Sequence, residues 1–303
     1  MLLQPERPLL AQLVVTRRCN LTCGYCNEYD NVSRPAPLPD LIERVDHLAR
    51  LGALIVTLTG GEPLLHPKLD EVVRRVTSHA MVCTLNSNAY PITRRWVERL
   101  NAAKLFMLQV SIDNLRPNAV SDKSWSKVRQ KLLILKEHAR FGVTINAVLG
   151  SSPPDETRRL VEEVRALGFY MTVGLLHDDA GQIDSGLIGE DLPEFYAEMR
   201  RLCRKSAFHL AGEGWETRML ERGADPYRCR AGARYLYVDE TGQVSYCSQR
   251  RGEPGLPLLE YGPEDAWAAF NTRKGCEAGC TIACVRRASS FDEWRAQPLA
   301  ATA

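Results

Sequence analysis

The first periodic segment of the chain is residues 11–16, AQLVVT, a short apolar run with the length and β-branched content of a buried strand. A helical pattern over residues 40–51 follows a proline-rich stretch, and a second apolar run, 54–58, ends in Thr-Gly-Gly-Glu-Pro. The alternation repeats with helices near 68–78, 92–101, 124–140 and 155–167, and strands near 80–86, 104–111, 142–149 and 169–176. Six strands with helices between them predict an α/β fold of parallel βα units with right-handed crossovers, whose ligands gather at the C-terminal ends of the strands. A polar, glycine-containing tract at 177–190 breaks the pattern, and a helix is expected at 192–205. The expected organisation is a core over residues 1–180, a linker and helix over 181–226, and a small second domain over 227–303. That last part carries YLYVDETGQVSYC, alternating residues around a Thr-Gly turn, which reads as a β-hairpin.

Composition narrows the class. Hydrophobic residues make up 45% and charged residues 25%, which excludes a disordered or collagen-like chain. With 39 basic against 37 acidic residues, the net charge of +2 carries no electrostatic footprint for nucleic acid or an anionic membrane. No apolar stretch approaches the ~18 to 20 residues of a membrane span, and the opening MLLQPERPLL has no basic n-region and long apolar h-region. A cytoplasmic protein without a nucleic-acid partner is expected.

The ten cysteines are placed unevenly: a trio at Cys19, Cys23 and Cys26, a late set at Cys229, Cys247, Cys276, Cys280 and Cys284, and the isolated Cys83 and Cys203. In a reducing compartment, close-spaced cysteines point to metal or redox chemistry before disulfides. Cys83, in a predicted strand, and Cys203, in a predicted helix, read as buried small hydrophobes. The trio has the spacing C-x3-C-x2-C on a loop at the end of the first strand. Three thiolates leave one coordination position open, which fits a catalytic cluster better than structural zinc, whose sites close with four ligands. A zinc loop borrowing a distant ligand is the alternative.

C-x3-C-x2-C after the first strand, with Tyr25 just before the last cysteine, resembles the radical S-adenosylmethionine superfamily. Gly60-Gly61-Glu62-Pro63 at the end of the second strand matches that family's GGEP segment, which contacts the amino group of the methionine moiety. Adjacent glycines allow backbone carbonyls close to an ammonium, and a carboxylate supplies a charge-assisted acceptor. Asn86 with Ser87, and Ser111 with Asp113, end the third and fourth strands, where the family holds the ribose and the methionine carboxylate; capping of turns explains such residues equally well. On the fifth strand, where the family often has G-x-I-x-G-x-x-E, this chain has Asn146 through Pro153 and departs from that pattern in lacking the final Glu. The resemblance covers about residues 11–176 and implies a partial (β/α)6 TIM-like barrel. The cofactor-binding set it implies is Tyr25, Gly60, Gly61, Glu62, Pro63, Asn86, Ser111, Asp113 and Asn146.

The late cysteines open with C-x12-G-x4-C from Cys229 through Gly242 to Cys247, which resembles the start of SPASM and Twitch domains. Five cysteines suffice for one auxiliary [4Fe-4S] cluster with one to spare; if three bind, the fourth iron stays open to substrate, and a structural zinc knuckle is the alternative. The resemblance implies reductive cleavage of S-adenosylmethionine at the first [4Fe-4S] cluster, with an electron from a donor such as flavodoxin or ferredoxin. The 5′-deoxyadenosyl radical so formed abstracts a substrate hydrogen, and the auxiliary cluster assists oxidation or bond formation. Only ten residues precede the first strand, which favours a small-molecule substrate over the peptide of a leader-binding maturase. Addition of the adenosyl radical to an acceptor, and a non-catalytic iron–sulfur or zinc scaffold, are the remaining alternatives. Secondary candidates are Glu28, Tyr29 and Asp30 after the trio, His66, and the rim residues His177, Asp178 and Asp179. Trp215, Arg228, Arg230, Arg234 and Arg250 form a further group, suited to an anionic substrate or simply solvated.

Overall fold

A computed structural model describes residues 4–183, 191–203 and 214–295. Six parallel strands, β1 (Leu10–Thr16), β2 (Ile55–Gly60), β3 (Val82–Ser87), β4 (Met107–Ser111), β5 (Gly142–Leu149) and β6 (Tyr170–Leu175), follow one another in space. They are joined by helices α1 (Leu38–Arg50), α2 (Leu69–Ser78), α3 (Arg94–Ala102), α4 (Trp125–His138) and α5 (Pro154–Ala166). After α6 (Leu192–Leu202) and α7 (Trp215–Arg222) the chain returns to the free edge of β1. There β7 (Tyr235–Val238) pairs with it in parallel, and β8 (Gln243–Ser245) and β9 (Pro254–Pro257) extend the sheet antiparallel to nine strands in the order β6-β5-β4-β3-β2-β1-β7-β8-β9. Helices α8 (Pro263–Asn271) and α9 (Ala283–Ser290) complete the described fold. The end of the helix expected at 192–205 and residues 184–190 of the polar tract at 177–190 lie outside the described residues. Among the described residues, no helix is long and apolar enough to cross a membrane.

The two faces of the parallel sheet differ, and the difference positions the site. Leu13, Val15, Val56, Leu58, Leu85, Val110 and Ile145 project to the face covered by helices and form the main core with Leu41, Val45 and Leu48 of α1, whose i, i+4, i+7 spacing makes one apolar stripe. Their alternates, on the inner face, are Gln12, Thr57, Thr84, Asn86, Gln109, Ser111, Thr144, Asn146 and Thr172. A parallel sheet packed on both faces reads as a continuous apolar run. This one alternates, so its inner wall presents hydroxyl and amide groups to whatever fills the barrel. Register matters here, because a slip of one residue would exchange the two sets; Gln12 stands opposite Thr57, and Thr57 opposite Thr84, with their hydroxyls 2.7 Å apart.

The β7–β8 turn forms as the hairpin pattern predicts. Gly242 adopts φ +93, and Asp239 Oδ1 accepts from the backbone N–H of Thr241 and Gln243. All four residues of β7 are buried, Leu236 and Val238 in the main core and Tyr235 and Tyr237 in a second apolar cluster around the late cysteines.

Candidate active site

The loop from β1 into the first three cysteines is held by backbone contacts that only glycine permits. A Cβ on Gly60 would stand 2.0 Å from the Thr16 carbonyl oxygen, and one on Gly61 would stand 2.4 Å from those of Arg17 and Arg18. In that space the Gly61 N–H donates to Thr16 O at 2.9 Å and the Glu62 N–H to Arg18 O at 2.7 Å. The glycine pair therefore docks the end of β2 onto the backbone leading to Cys19. Glu62 is fully buried; Oε1 accepts from Leu64 N–H (2.9 Å) and Ser87 Oγ (2.8 Å), and Oε2 from Asn88 N–H (2.7 Å). The carboxylate thus ties the ends of β2 and β3 together through three donors of the chain itself, while burial pushes its pKa up to about 7. Pro63 opens the short turn that follows.

The segment 118–123, after β4, clamps the other side of the cysteine loop: Gly24 N–H donates to Val120 O (3.0 Å) and Thr22 N–H to Asp122 Oδ2 (3.0 Å). Tyr25 hydroxyl donates to Asp113 Oδ2 at 2.7 Å, and Asp113 also accepts from Ser121 Oγ (2.7 Å) and Val148 N–H (3.2 Å). Lys123 Nζ donates to the Tyr25 hydroxyl at 2.7 Å and lies 4.8 Å from its ring centroid. Burial opposes the Lys123 charge, but Tyr25, Asp113 and the thiols of Cys26 and Cys23 outweigh it and hold the ammonium well above its ordinary range. Asn86, Ser111 and Asn146 sit on the inner face, where Asn146 Oδ1 accepts from Thr172 Oγ1 at 2.8 Å.

Cys23 is buried, and Cys19 and Cys26 are half-buried. Burial raises the Cys19 thiol to about 11 and that of Cys26 upward. Polar hydrogens already face the sulfurs: Asn88 Nδ2 donates to Cys19 Sγ at 3.8 Å and Asp122 N–H to Cys23 Sγ at 3.4 Å, with Ser121 Oγ 3.6 Å from Cys23 Sγ. Three soft sulfurs on one loop, with donors ready to stabilise thiolate charge, fit an iron–sulfur cluster, whose iron would reverse the effect of burial on the thiols. Among the described residues, no group of three or more His, Cys, Asp or Glu side chains is drawn tightly enough to hold a single metal ion. Asn88 and Lys123 escaped the sequence reading. Asn88 stands two residues after Asn86 at the end of β3, where it passes for a turn residue; Lys123 lies in an aperiodic loop with no signal of its own.

Of the late cysteines, Cys229, Cys247 and Cys280 are buried in one apolar cluster with Val14, Tyr235, Tyr237 and Ile282, and Cys284 packs against it. Burial pushes Cys229 and Cys284 up to about 11 and Cys247 to about 12. Tyr227 hydroxyl donates to Cys280 Sγ at 3.4 Å. Gln12 Nε2, on the inner face of β1, donates to Cys284 Sγ at 3.8 Å and its Oε1 accepts from Tyr235 hydroxyl at 2.7 Å. These sulfurs have the same donor chemistry as the first loop. The two cysteine regions also touch: Asn27 Nδ2 donates to Gln249 Oε1 (2.7 Å), and Glu28 Oε2 accepts from Tyr237 hydroxyl (2.6 Å) and Arg251 Nη2 (3.0 Å).

The remaining candidates serve the fold. His66 Nε2 is 2.9 Å from Ala36 O in a buried turn, Asp30 pairs with Arg17 at 3.0 Å, and Asp178 Oδ1 accepts from Ala180 and Gln182 N–H to form its own loop. The arginines near the late cysteines were expected to be solvated or to meet an anion, and the geometry corrects this. Arg234 and Asp292 form an ion pair at 2.6 Å with both side chains 0% exposed. Arg230 donates to Phe270 O at 2.7 Å, Arg228 to Asn271 O, and Arg250 to Lys274 O at 2.7 Å. They staple α8 and the C-terminal segment to β7. Trp215 is likewise buried, with the Arg286 guanidinium 4.3 Å from its ring centroid. Cys83 and Cys203 are buried as expected.

Comparison with known proteins bears on the family and the fold. The AdoMet-dependent heme synthase of Methanosarcina barkeri is 24% identical over 86% of this chain and 80% of its own length. The PqqA peptide cyclase of Methylocella silvestris is 26% identical over 97% of this chain and 84% of its own. Among solved structures, Streptococcus suis SuiB bound to S-adenosylmethionine superposes with a TM-score of 0.68 at 18% identity, covering 94% of this chain and 76% of that one. SuiB bound to its precursor peptide SuiA gives 0.68 at 18%, covering 90% and 70%. At that identity the likeness establishes the fold, a partial TIM-like barrel with further antiparallel strands. The sequence model of the Radical SAM superfamily matches residues 13–175, more than half of the chain. The protein is therefore an enzyme of the radical S-adenosylmethionine superfamily, with a [4Fe-4S] cluster and S-adenosylmethionine as its cofactors.

Proposed function

We propose that this enzyme begins catalysis by hydrogen abstraction from a polar substrate in the barrel, a peptide segment, and that an auxiliary [4Fe-4S] cluster in the late cysteines assists the oxidation or bond formation that follows. The observation that carries this reading is the contact between the two cysteine-bearing parts of the chain: Asn27 and Glu28, just after the first trio, bond Gln249 and Arg251, and Gln12 of the inner wall bonds Cys284. Cys19, Cys23 and Cys26 would hold the first cluster, and four of Cys229, Cys247, Cys276, Cys280 and Cys284 the second. When bound, the first cluster supplies one-electron reduction of S-adenosylmethionine, and the second a redox partner beside the substrate. A one-electron donor of the flavodoxin or ferredoxin class, and a cytoplasmic location, belong to the same reading.

The residues of the chain do the rest. Tyr25, fixed by Asp113 and Lys123, forms one wall beside the first cysteines, and the Lys123 ammonium adds a fixed positive charge there. Gly60, Gly61, Glu62 and Pro63 set the position of the cysteine loop, and Asn86, Ser111 and Asn146 line the sheet where nucleoside and amino-acid moieties would bind. The inner wall offers amides and hydroxyls from Gln12, Thr57, Thr84 and Gln109 and no charged strand residue, which suits the neutral donors and acceptors of a peptide backbone. Similarity to a peptide cyclase over 97% of the chain supports the same substrate class. A small-molecule substrate is the second reading, favoured by similarity to the heme synthase over 86% of the chain.

The test is anaerobic reconstitution with iron and sulfide counting, followed by an assay for 5′-deoxyadenosine with dithionite. About eight irons per chain and 5′-deoxyadenosine are expected. About four irons remove the auxiliary cluster, and zinc with intact S-adenosylmethionine overturns the whole reading. Changing Cys19, Cys23 or Cys26 to Ala is expected to abolish cleavage. With deuterated substrate, label in 5′-deoxyadenosine supports abstraction; turnover without free 5′-deoxyadenosine means addition.

A further inference from the structure

A short ordered turn follows the first cysteine loop and presents an apolar side chain to solvent. Asp30 builds it: Oδ1 accepts from the N–H groups of Val32 and Ser33 at 3.0 and 2.7 Å, and Oδ2 from Ser33 Oγ at 2.7 Å. The turn is fastened to the cysteine loop, because Asp30 N–H donates to Arg17 O at 2.9 Å and the Asn31 side-chain amide, oriented to suit its neighbours, donates to Cys19 O at 3.0 Å. Val32 in this turn is nevertheless 85% exposed. A single exposed apolar residue is ordinary on a protein surface. Here it has company. Arg18 and Arg34 stand beside it, both exposed; Arg18 Nε donates to Ser33 O at 3.0 Å, and neither arginine has a carboxylate partner among the described residues, since Asp30 pairs with Arg17. Just beyond Arg34, Ala36 O lies 2.9 Å from His66 Nε2, which brings up the turn carrying the half-exposed Leu65. Apolar side chains edged by unpaired arginines, held one residue from a bond to Cys19, have the composition of a protein interface and a charge that meets a negative partner.

We propose that this turn, with Val32 beside Arg18 and Arg34, is the docking surface for the one-electron carrier, and that the carrier presents an acidic face to it. The inference rests on the donor proposed above and gives that donor a place on the chain. One electron leaves the carrier and reduces the first cluster; no bond forms or breaks in the encounter. A small surface is enough, because redox encounters bury less than about 1,200 Å². The bonds of Asp30 and Asn31 hold the turn in shape beforehand, so little ordering is left for the encounter.

The test uses the reconstituted full chain and an acidic flavodoxin, reduced by its NADPH-dependent reductase. Two quantities are read: the rate at which flavodoxin semiquinone appears on rapid mixing, and the rate of 5′-deoxyadenosine formation. V32E/R34E is expected to slow both by at least about tenfold at low salt. The difference should vanish between about 0.01 M and about 1 M ionic strength, as the screening length falls from about 30 Å to about 3 Å. With dithionite, a small reductant that needs no docking surface, the variant should form 5′-deoxyadenosine at the wild-type rate. K136E/R140E, two exposed cations at the far end of the sheet where α4 runs into β5, should leave the flavodoxin rates unchanged. Equal flavodoxin rates in wild type and V32E/R34E overturn the surface, as does an equal loss in K136E/R140E. If V32E/R34E also slows the dithionite reaction, the neutral pair V32S/R34Q decides: a slower flavodoxin reaction alone supports the surface, and an unchanged one overturns it. A wild-type protein that dithionite reduces but neither flavodoxin nor an acidic ferredoxin does overturns the donor class itself, a failure distinct from an error in the docking site.

Discussion

Substituting Gly61 by Ala tests whether the glycine pair acts by docking the cysteine loop. The added Cβ would lie 2.4 Å from two consecutive carbonyl oxygens and 2.6 Å from the Arg18 carbonyl carbon, all of them backbone atoms that cannot rotate away. An ordinary contact needs about 1 Å more, so the strand end and the loop must separate by about that distance. Separation breaks or stretches two hydrogen bonds, Gly61 N–H to Thr16 O and Glu62 N–H to Arg18 O. Each is worth about 1 kcal/mol net and up to about 3 when the orphaned group stays buried, so the expected loss is about 2 to 6 kcal/mol. Such a loss lies within the usual stability of a folded domain, and the effect falls on the residue next to Cys19. G61A is expected to fold, to melt several degrees lower, and to retain only the irons of the late cysteines, with 5′-deoxyadenosine formation abolished. The measurements are a melting curve by circular dichroism and iron counting after anaerobic reconstitution. A variant with wild-type melting temperature and full iron content would refute the docking argument and return the glycines to a role in ligand contact alone.

Two further predictions concern buried charge. The Glu62 carboxyl is held at about 7 by burial, above its ordinary 4.5, so the folded protein binds a proton there that the unfolded chain has released. Its stabilising share is therefore complete below about 4.5 and lost as pH rises through about 7, a swing of about 3 kcal/mol; urea denaturation of the metal-free protein at pH 5 and 8 measures it. In E62Q that swing should disappear, and an unchanged pH dependence refutes the assignment. Asp292→Ala removes the carboxylate that pairs with the fully buried Arg234 guanidinium and is expected to cost about 3 to 5 kcal/mol by chemical denaturation, with a loss below about 1 kcal/mol contradicting the pairing.

What the sequence made legible follows from the range of each interaction. The succession of strands and helices came from local periodicity, and the errors are local too: the strand expected at 104–111 starts at Met107, because Lys104 takes φ 60 to end α3 and the Leu105 N–H turns back to Leu100 O. The cysteine spacings were visible because a short loop must carry several ligands on one stretch of chain. Three features were not visible, each of which depends on residues far apart. Parallel pairing of β7 with β1 joins residues more than 200 positions apart, and YLYV reads as an isolated hairpin strand until both faces are seen to be covered. Glu62 was expected as an acceptor for a ligand, yet its oxygens are taken by donors at Leu64, Ser87 and Asn88, two of them on or beyond the next strand. The loop from Ser121 to Lys123 has no periodicity, and only the fold brings it against Cys23 and Tyr25. The polar alternates on the strands lie between these extremes. Thr57, Thr84, Asn86 and Gln109 were each in plain view, but a hydrophilic residue at every second position of a parallel strand means an open lumen only when a face without helices is known to exist. That condition ties the substrate argument to the fold: Thr57 with Thr84, and Asn146 with Thr172, bond in pairs across the strands, and the helix-free face is what leaves the remaining donors and acceptors of these residues for a ligand.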